Sequence, residues 1–230
     1  MKSIKNEKLI KRNATIGQWS SLIALVVLGI GMYLTFAQPQ LFSYSLGALA
    51  AGFLLSQVGM YFGNRWGRSP RPDEKIDAGL KGLPGDFTVY HYVAPTPHLL
   101  VSPAGLWVIM HYHQRGKMYY HKNRWRNSGG GLLQGYMRIF GQEGIGRPDL
   151  EAESEALSVK KFLSKHMEEG EIPEVNPLIV FTADDVEIDA SDSPIPAMKP
   201  KQLKDYLRQK AKEKKIGPMT LEKIRGLFEE

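Results

Sequence analysis

Two long uncharged stretches limit this chain more than anything else in it. Trp19 to Ala37 is rich in Leu, Val and Ile, and Leu41 to Gly63 follows after only Gln38-Pro39-Gln40. About 20 mostly apolar residues let a helix cross the hydrocarbon of a bilayer. Both stretches meet that length, and the polar break between them reads as a turn. The expectation is a transmembrane helical hairpin over residues 19–63. A cleaved leader is the other reading of the first stretch. Its length, and a second run three residues later, count against that.

Charge orients the hairpin. The N-terminal segment 1–18 carries Lys2, Lys5, Lys8, Lys11 and Arg12 against Glu7. Arg65, Arg68 and Arg71 follow the second stretch, and the turn has no charge. Basic residues stay on the cytoplasmic side. The expectation is therefore a multi-pass protein of the cell membrane, both termini cytoplasmic, with the lipid bilayer as a partner. This placement also accounts for most of the formal net charge of +6. The 167 residues after 63 hold 25 basic and 23 acidic side chains, so charge gives nucleic-acid binding little support. The chain has no Cys, which excludes disulfides, a thiolate nucleophile and Cys-ligated zinc.

The second stretch carries small residues four apart, Gly47/Ala51 and Ala48/Gly52/Ser56. Such stripes let helices approach closely. Packing against the first stretch and homo-oligomerisation are the two readings. Neither stretch holds a charged residue, so nothing suggests a channel or proton path through it.

The rest reads as an α/β domain with a mixed sheet. Residues 64–72 (NRWGRSPRP) form a basic linker. A short helix over 73–83 places Ile76, Leu80 and Leu83 on one face, with Asp73 and Glu74 in its first turn. Strands are expected at 87–93, 98–102, 106–113, 118–121, 177–182 and 186–189, where aromatic and β-branched residues concentrate. Helices are expected at 149–167, 199–212 and 219–228. The glycine-rich stretch 127–148 has no clear period, and a short apolar helix is expected within it at Leu132–Phe140.

Three segments carry a family likeness. Thr96-Pro97-His98 leads into the apolar run Leu99-Leu100-Val101-Ser102. Pro103-Ala104-Gly105 makes a turn, and the next strand ends Met110-His111-Tyr112. Arg147-Pro148-Asp149-Leu150-Glu151 opens a later helix. In this order the pattern over 73–208 resembles the nuclease-related domain, NERD, of the PD-(D/E)xK nuclease superfamily. Residues 209–230 are then a C-terminal helical extension. The resemblance implies a restriction-endonuclease-like sheet. It implies acids at Glu74 and Pro97 and a Glu-x-Lys pair at Met110 and Tyr112. Phosphodiester cleavage with Mg²⁺ needs hard oxygen ligands and a lysine near the scissile group. Residues two apart on a strand share a face, so this face shows Val108, Met110 and Tyr112. A thioether, a phenol and a proline supply none of that chemistry. Only Glu74 remains, and a first-turn carboxylate has the helix dipole as its ordinary partner.

Other clusters offer candidates for replacement chemistry. His111 and His113 share the opposite strand face, with His91, His98 and His121 on neighbouring strands. They read as a transition-metal site or, more ordinarily, as an exposed strand face. Asp184, Asp185, Glu187 and Asp189 read as a solvated loop or a recruited ligand set. Arg124-Trp125-Arg126 reads as a strand end or a single-strand nucleic-acid contact. Lys210, Lys212, Lys214 and Lys215 read as a solvated helix face or an anionic-lipid contact.

The leading expectation is a membrane-anchored, degenerate nuclease-like module that binds or scaffolds, with no cofactor, metal or catalytic residue. The alternative is an active nuclease with a migrated site, built on Glu74 and acids of 149–155 or 184–189. A third reading makes the hairpin the functional part. No motif names a protein partner.

Overall fold

The computed structural model describes residues 1–128, 145–213 and 215–229. The chain divides into two compact units. One is Asn6–Glu74, and the other joins Met1–Lys5 to Lys75–Glu230.

The first unit is built on two helices, α1 (Glu7–Ala37) and α2 (Phe42–Phe62). Both are long and apolar enough to cross a membrane. Helix α1 starts twelve residues before the uncharged stretch does. The Asn6 side chain accepts the Leu9 N–H at 3.0 Å, and Glu7 sits in the first turn, so the backbone is capped well ahead of the apolar run. Pro39–Leu41 makes one tight turn between the helices.

The helices meet along small residues. On α1 these are Gly17, Ala24 and Gly31, and on α2 Ser45, Gly52 and Gly59, all buried. Each set repeats every seven residues, the spacing that keeps one helix face turned to a partner. A Cβ on Gly52 would lie 2.7 Å from Leu28 Cγ, and one on Gly59 would lie 2.3 Å from Ser21 Oγ. The Ser45 hydroxyl donates to the Gly31 carbonyl at 2.9 Å and is hydrogen-bonded to Thr35. The large residues point away, with Leu25 69% and Phe36 80% exposed. The stripe expected on α2 therefore divides. Gly52 is turned to α1, whereas a Cβ on Gly47 would meet nothing.

Residues 64–72 are more ordered than a linker. The helical path continues through a wider turn, Gly63–Gly67. Arg65 lies over the Tyr61 ring at 4.3 Å and donates to its hydroxyl at 2.7 Å.

The second unit holds two sheets. The larger contains β1 (Lys2–Lys5), β2 (Thr88–His91), β3 (His98–Ser102), β4 (Gly105–Tyr112), β7 (Val175–Phe181) and β9 (Ala197–Met198), in the order β1-β2-β3-β4-β7-β9. Strands β2, β3 and β4 form an antiparallel meander, and β1 is parallel to β2. Strand β7 is parallel to β4, and β9 to β7. The smaller sheet is β6 (Arg124–Ser128), β5 (Lys117–His121) and β8 (Glu187–Asp189). A parallel β4–β7 pair needs a long crossover. Here it contains the β5–β6 hairpin and helix α4 (Pro148–Leu163).

Helices cover both faces of the larger sheet, so its strands are apolar on both sides. Leu100, Ile109 and Val180 pack with Ile76 and Leu80 of α3 (Pro72–Leu80) and with Leu203 and Leu207 of α5 (Pro200–Glu213). A Cβ on Gly79 would lie 2.2 Å from the Pro200 carbonyl oxygen, so α3 and α5 touch through backbone. Leu99, Val101 and Val108 pack on the opposite face with Val159 of α4 and with Leu221, Ile224 and Phe228 of α6 (Pro218–Glu229). A third cluster, with Met118, Trp125, Phe181 and Val186, joins the two sheets.

Two boundaries differ from the sequence expectation. Residues 2–5 are an edge strand rather than part of a free basic tail, and Ile4 packs against the core. The C-terminal helix α6 buries an apolar face in the same core, so the domain does not end at 208. Polar Arg124–Ser128 is also a strand, set by its hairpin partner β5. The helix expected at Leu132–Phe140 lies outside the described residues.

Candidate functional site

Strand β4 presents two faces with different fates. Val108 and Met110 pack on the side of α4, and Tyr112 joins Phe181, Trp125 and Ala152. The Tyr112 hydroxyl donates to Glu151 Oε2 at 2.7 Å. The face where the resemblance implies a Glu-x-Lys pair is thus a core face under a helix. Pro97 stands half-buried before β3, where its carbonyl accepts the Tyr92 N–H at 2.8 Å. Glu74 belongs to the other unit. Its carboxylate accepts from the Arg71 N–H at 2.8 Å and the Ser69 hydroxyl at 3.1 Å, and it pairs with the Arg71 guanidinium.

Several of the remaining acids have partners of their own. Asp149 pairs with Arg147 at 3.0 Å. Burial acts to raise its pKa, but the hydrogen bond and charge of Arg147, together with backbone N–H donors, hold the carboxyl below its ordinary value. Asp184 is 98% exposed and lies 3.6 Å from Lys75. Asp185 lies 3.8 Å from Arg115, and Glu187 and Asp189 are exposed on β8. Among the described residues, no three His, Asp or Glu side chains are grouped to hold a metal ion. Arg124 and Arg126 are exposed, while Trp125 is buried against Tyr120 and Phe181. Lys210 is paired with Glu213 at 2.6 Å, and Lys212 and Lys215 are exposed. Lys214 lies outside the described residues.

The other face of β4 holds the most unusual polar arrangement. His91 ends β2, His98 begins β3, and the two face each other across the antiparallel pair. His111 follows on β4. Asp77 Oδ1 lies 3.0 Å from His91 Nε2, His91 Nδ1 lies 2.7 Å from His98 Nδ1, and His98 Nε2 lies 3.0 Å from His111 Nδ1. Lys5 and Ser3 of β1 hold the second carboxylate oxygen of Asp77 at 2.8 and 3.1 Å. His91 and His98 have no exposed surface. They are therefore not the solvated strand face that histidines at these positions suggest. They form a line rather than a metal cage.

The line constrains its own protons. Burial, with His111, His91 and Lys5 around it, drives the His98 pKa well below the ordinary histidine value, so His98 is neutral. A carboxylate only accepts, so His91 Nε2 carries a hydrogen and donates to Asp77. For Asp77, burial acts upward on the pKa, but hydrogen bonds from His91 and Lys5 bring it below the ordinary value.

Both shifts depress the folded pKa, so both stabilise at higher pH. The His98 contribution is complete above about pH 6.5 and declines below it. The Asp77 contribution is complete above about pH 4 and is lost as pH falls through its lowered value. Urea unfolding of Asp77→Asn is expected to show a clear loss of stability at pH 7 that shrinks toward pH 3.

The hairpin pairing of His91 with His98 is readable from the sequence, because any tight connection over 92–97 brings them together. Asp77 and Lys5 carry no such signal, since they arrive from a helix and from a strand far away in sequence. A scan against protein-family models finds no match to this chain, and searches of the curated proteins and of the solved structures find none either.

Proposed function

We propose that this chain is a membrane-anchored protein with a restriction-endonuclease-like domain that binds or scaffolds and does not cut nucleic acid. Both ends of the hairpin face the cytoplasm in this reading. The observation that carries it is the face of β4 under α4, where Met110 is packed and Tyr112 is hydrogen-bonded to Glu151. Tyr112 is 7% exposed and Met110 packs against the core under α4, which leaves a catalytic pair at these positions little access to solvent. The succession α3, β2, β3, β4, α4, β7 follows the order on which the NERD resemblance rests. The exposed apolar surface of α1 and α2 supports the bilayer as partner. A second copy of the chain would meet α2 on the side of Gly47 and Ala51, which α1 leaves exposed.

The test uses the full chain in lipid nanodiscs, with single- and double-stranded DNA and RNA and either Mg²⁺ or Mn²⁺. No cleavage is expected. The variant Pro97→Asp/Met110→Glu/Tyr112→Lys is expected to remain inactive, because two of its new charges lie under α4. Metal-dependent cleavage by the natural chain that disappears in Glu74→Ala would overturn the reading. Because the chain has no Cys, single cysteines test sidedness cleanly. A probe confined to the cytoplasmic side is expected to label Ser191→Cys and miss Gln40→Cys.

A further inference from the structure

The charged end of the helical hairpin carries its arginines at a defined depth. Helix α2 is a run of 21 residues, Phe42–Phe62, without a charged side chain. At about 1.5 Å per residue it is about 30 Å long, the thickness of the hydrocarbon core of a bilayer. Its end also fixes the level of α1, because a Cβ on Gly17 would lie 3.1 Å from Phe62 Cβ and 3.0 Å from the Gly63 nitrogen. Both helices therefore leave the hydrocarbon at this level. Trp19, 59% exposed, and Tyr61 stand just inside it, where amphipathic rings favour the interface. Arg65 and Arg68 follow Gly63 closely in the chain. Arg12 precedes Gly17 by about 7 Å of helix. The headgroup layer of one leaflet is about 5–7 Å deep, so these long side chains reach it.

We infer that this end of the hairpin is a binding belt for acidic phospholipids, with Arg12, Arg65 and Arg68 as the groups that take their phosphates. Lys8, Arg12 and Trp19 share the exposed face of α1, opposite the buried Ile10, Asn13 and Gly17. A lipid whose chains lie along Trp19 therefore has its phosphate beneath Arg12. Arg65 is already oriented, since its guanidinium lies 4.3 Å over the Tyr61 ring and donates to the Tyr61 hydroxyl at 2.7 Å. A guanidinium has five N–H donors in a fork that matches phosphate, and this contact uses one of them. The acids of the same unit stand elsewhere. Glu7 lies beyond Arg12, farther from the hydrocarbon, and Asp73 and Glu74 are paired with Arg71 at 3.0 and 3.1 Å. A zwitterionic headgroup brings its own cation beside the phosphate, so the charge of the belt selects lipids that lack one. The inference rests on the proposed membrane placement of the hairpin and not on the nuclease-like reading.

The experiment reconstitutes the full chain in bilayers of phosphatidylcholine and reads tryptophan emission as a brominated lipid replaces it. Bromine on the acyl chains quenches an indole on contact. Trp19 is exposed at the level of the belt, whereas Trp107 and Trp125 are buried and give a constant background. Brominated phosphatidylglycerol is expected to quench at a lower fraction than brominated phosphatidylcholine, with an apparent preference of at least about fivefold, the effect of one basic side chain near an anionic surface. The variant Arg12→Gln/Arg65→Gln/Arg68→Gln is expected to lose the preference, and the variant with Lys at the same three positions to keep it. Inorganic phosphate is expected to change nothing beyond what sodium chloride of equal ionic strength does. Equal quenching by the two lipids in the natural chain would overturn the belt, as would a preference that survives in the Gln variant or is abolished by free phosphate. Quenching by neither lipid would remove the membrane placement and the belt together, so the two failures are distinguishable. The comparison of lipids on the natural chain stands even if the Gln variant does not fold.

Discussion

Phe181→Ala is expected to cost about 3–5 kcal/mol, the range for removing a fully buried aromatic ring. Phe181 has no exposed surface and closes the cluster that joins the two sheets. Its ring centroid lies 5.4 Å from that of Trp125 and 5.9 Å from that of Tyr112. Position 181 ends the strand β7, so little backbone beyond it can fill the space. The effect is read by urea unfolding of the full chain in detergent, followed by tryptophan emission. Trp125 packs against the lost ring, so its emission is expected to shift to the red before unfolding begins. An unchanged midpoint would mean that the smaller sheet is not held by this cluster.

Gly52→Leu is expected to separate the two apolar helices. A Cβ alone at this position would lie 2.7 Å from Leu28 Cγ and 3.1 Å from the Leu28 backbone nitrogen. A whole side chain cannot be seated by a rotamer change there, because one obstacle is backbone. Overpacking costs about 1–3 kcal/mol, and this site belongs at the upper end. A disulfide between Thr35→Cys and Ser45→Cys, whose hydroxyls are hydrogen-bonded to each other, reports the pairing two turns away. In an otherwise Cys-free chain, its yield is expected to fall at least about tenfold when Leu stands at 52, since 1.4 kcal/mol is a factor of ten. Gly47→Leu is the control. Its Cβ meets nothing, so the yield should not change.

The legible parts of this fold share one property. Their signal is local. The uncharged runs announced two long helices because apolar length is a property of one segment. Leu99-Leu100-Val101 announced a buried strand because three consecutive apolar residues serve both faces. The reversal between β3 and β4 was readable from the turn Pro103-Ala104-Gly105. The parts that were not legible depend on distant partners. Lys2-Ser-Ile-Lys5 has no strand pattern of its own and becomes a strand by joining β2. Arg124-Trp125-Arg126 alternates rightly, but its polar ends hide a strand whose only buried side chain is Trp125. On α2 a four-residue stripe drew attention, whereas the observed contact follows the seven-residue set Ser45, Gly52 and Gly59. That set has meaning only beside Gly17, Ala24 and Gly31. The histidines showed the same limit. Alternation put His111 and His113 on one strand face, with His91 and His98 on neighbouring strands, but only the strand register and Asp77 join His91, His98 and His111 in a buried line.

Strand β1 also sets a timetable. Lys2 pairs with Thr88, 86 positions further along the chain. During synthesis strand β1 has nowhere to go until both long apolar helices have been made. The carboxylate that anchors Lys5 comes from Asp77, and the backbone that receives the strand comes later still. Residues 2–5 thus find their place only after a partner made more than 80 positions later. A ribosome stalled before residue 88 would leave them waiting, and the sheet would have no edge for them to join.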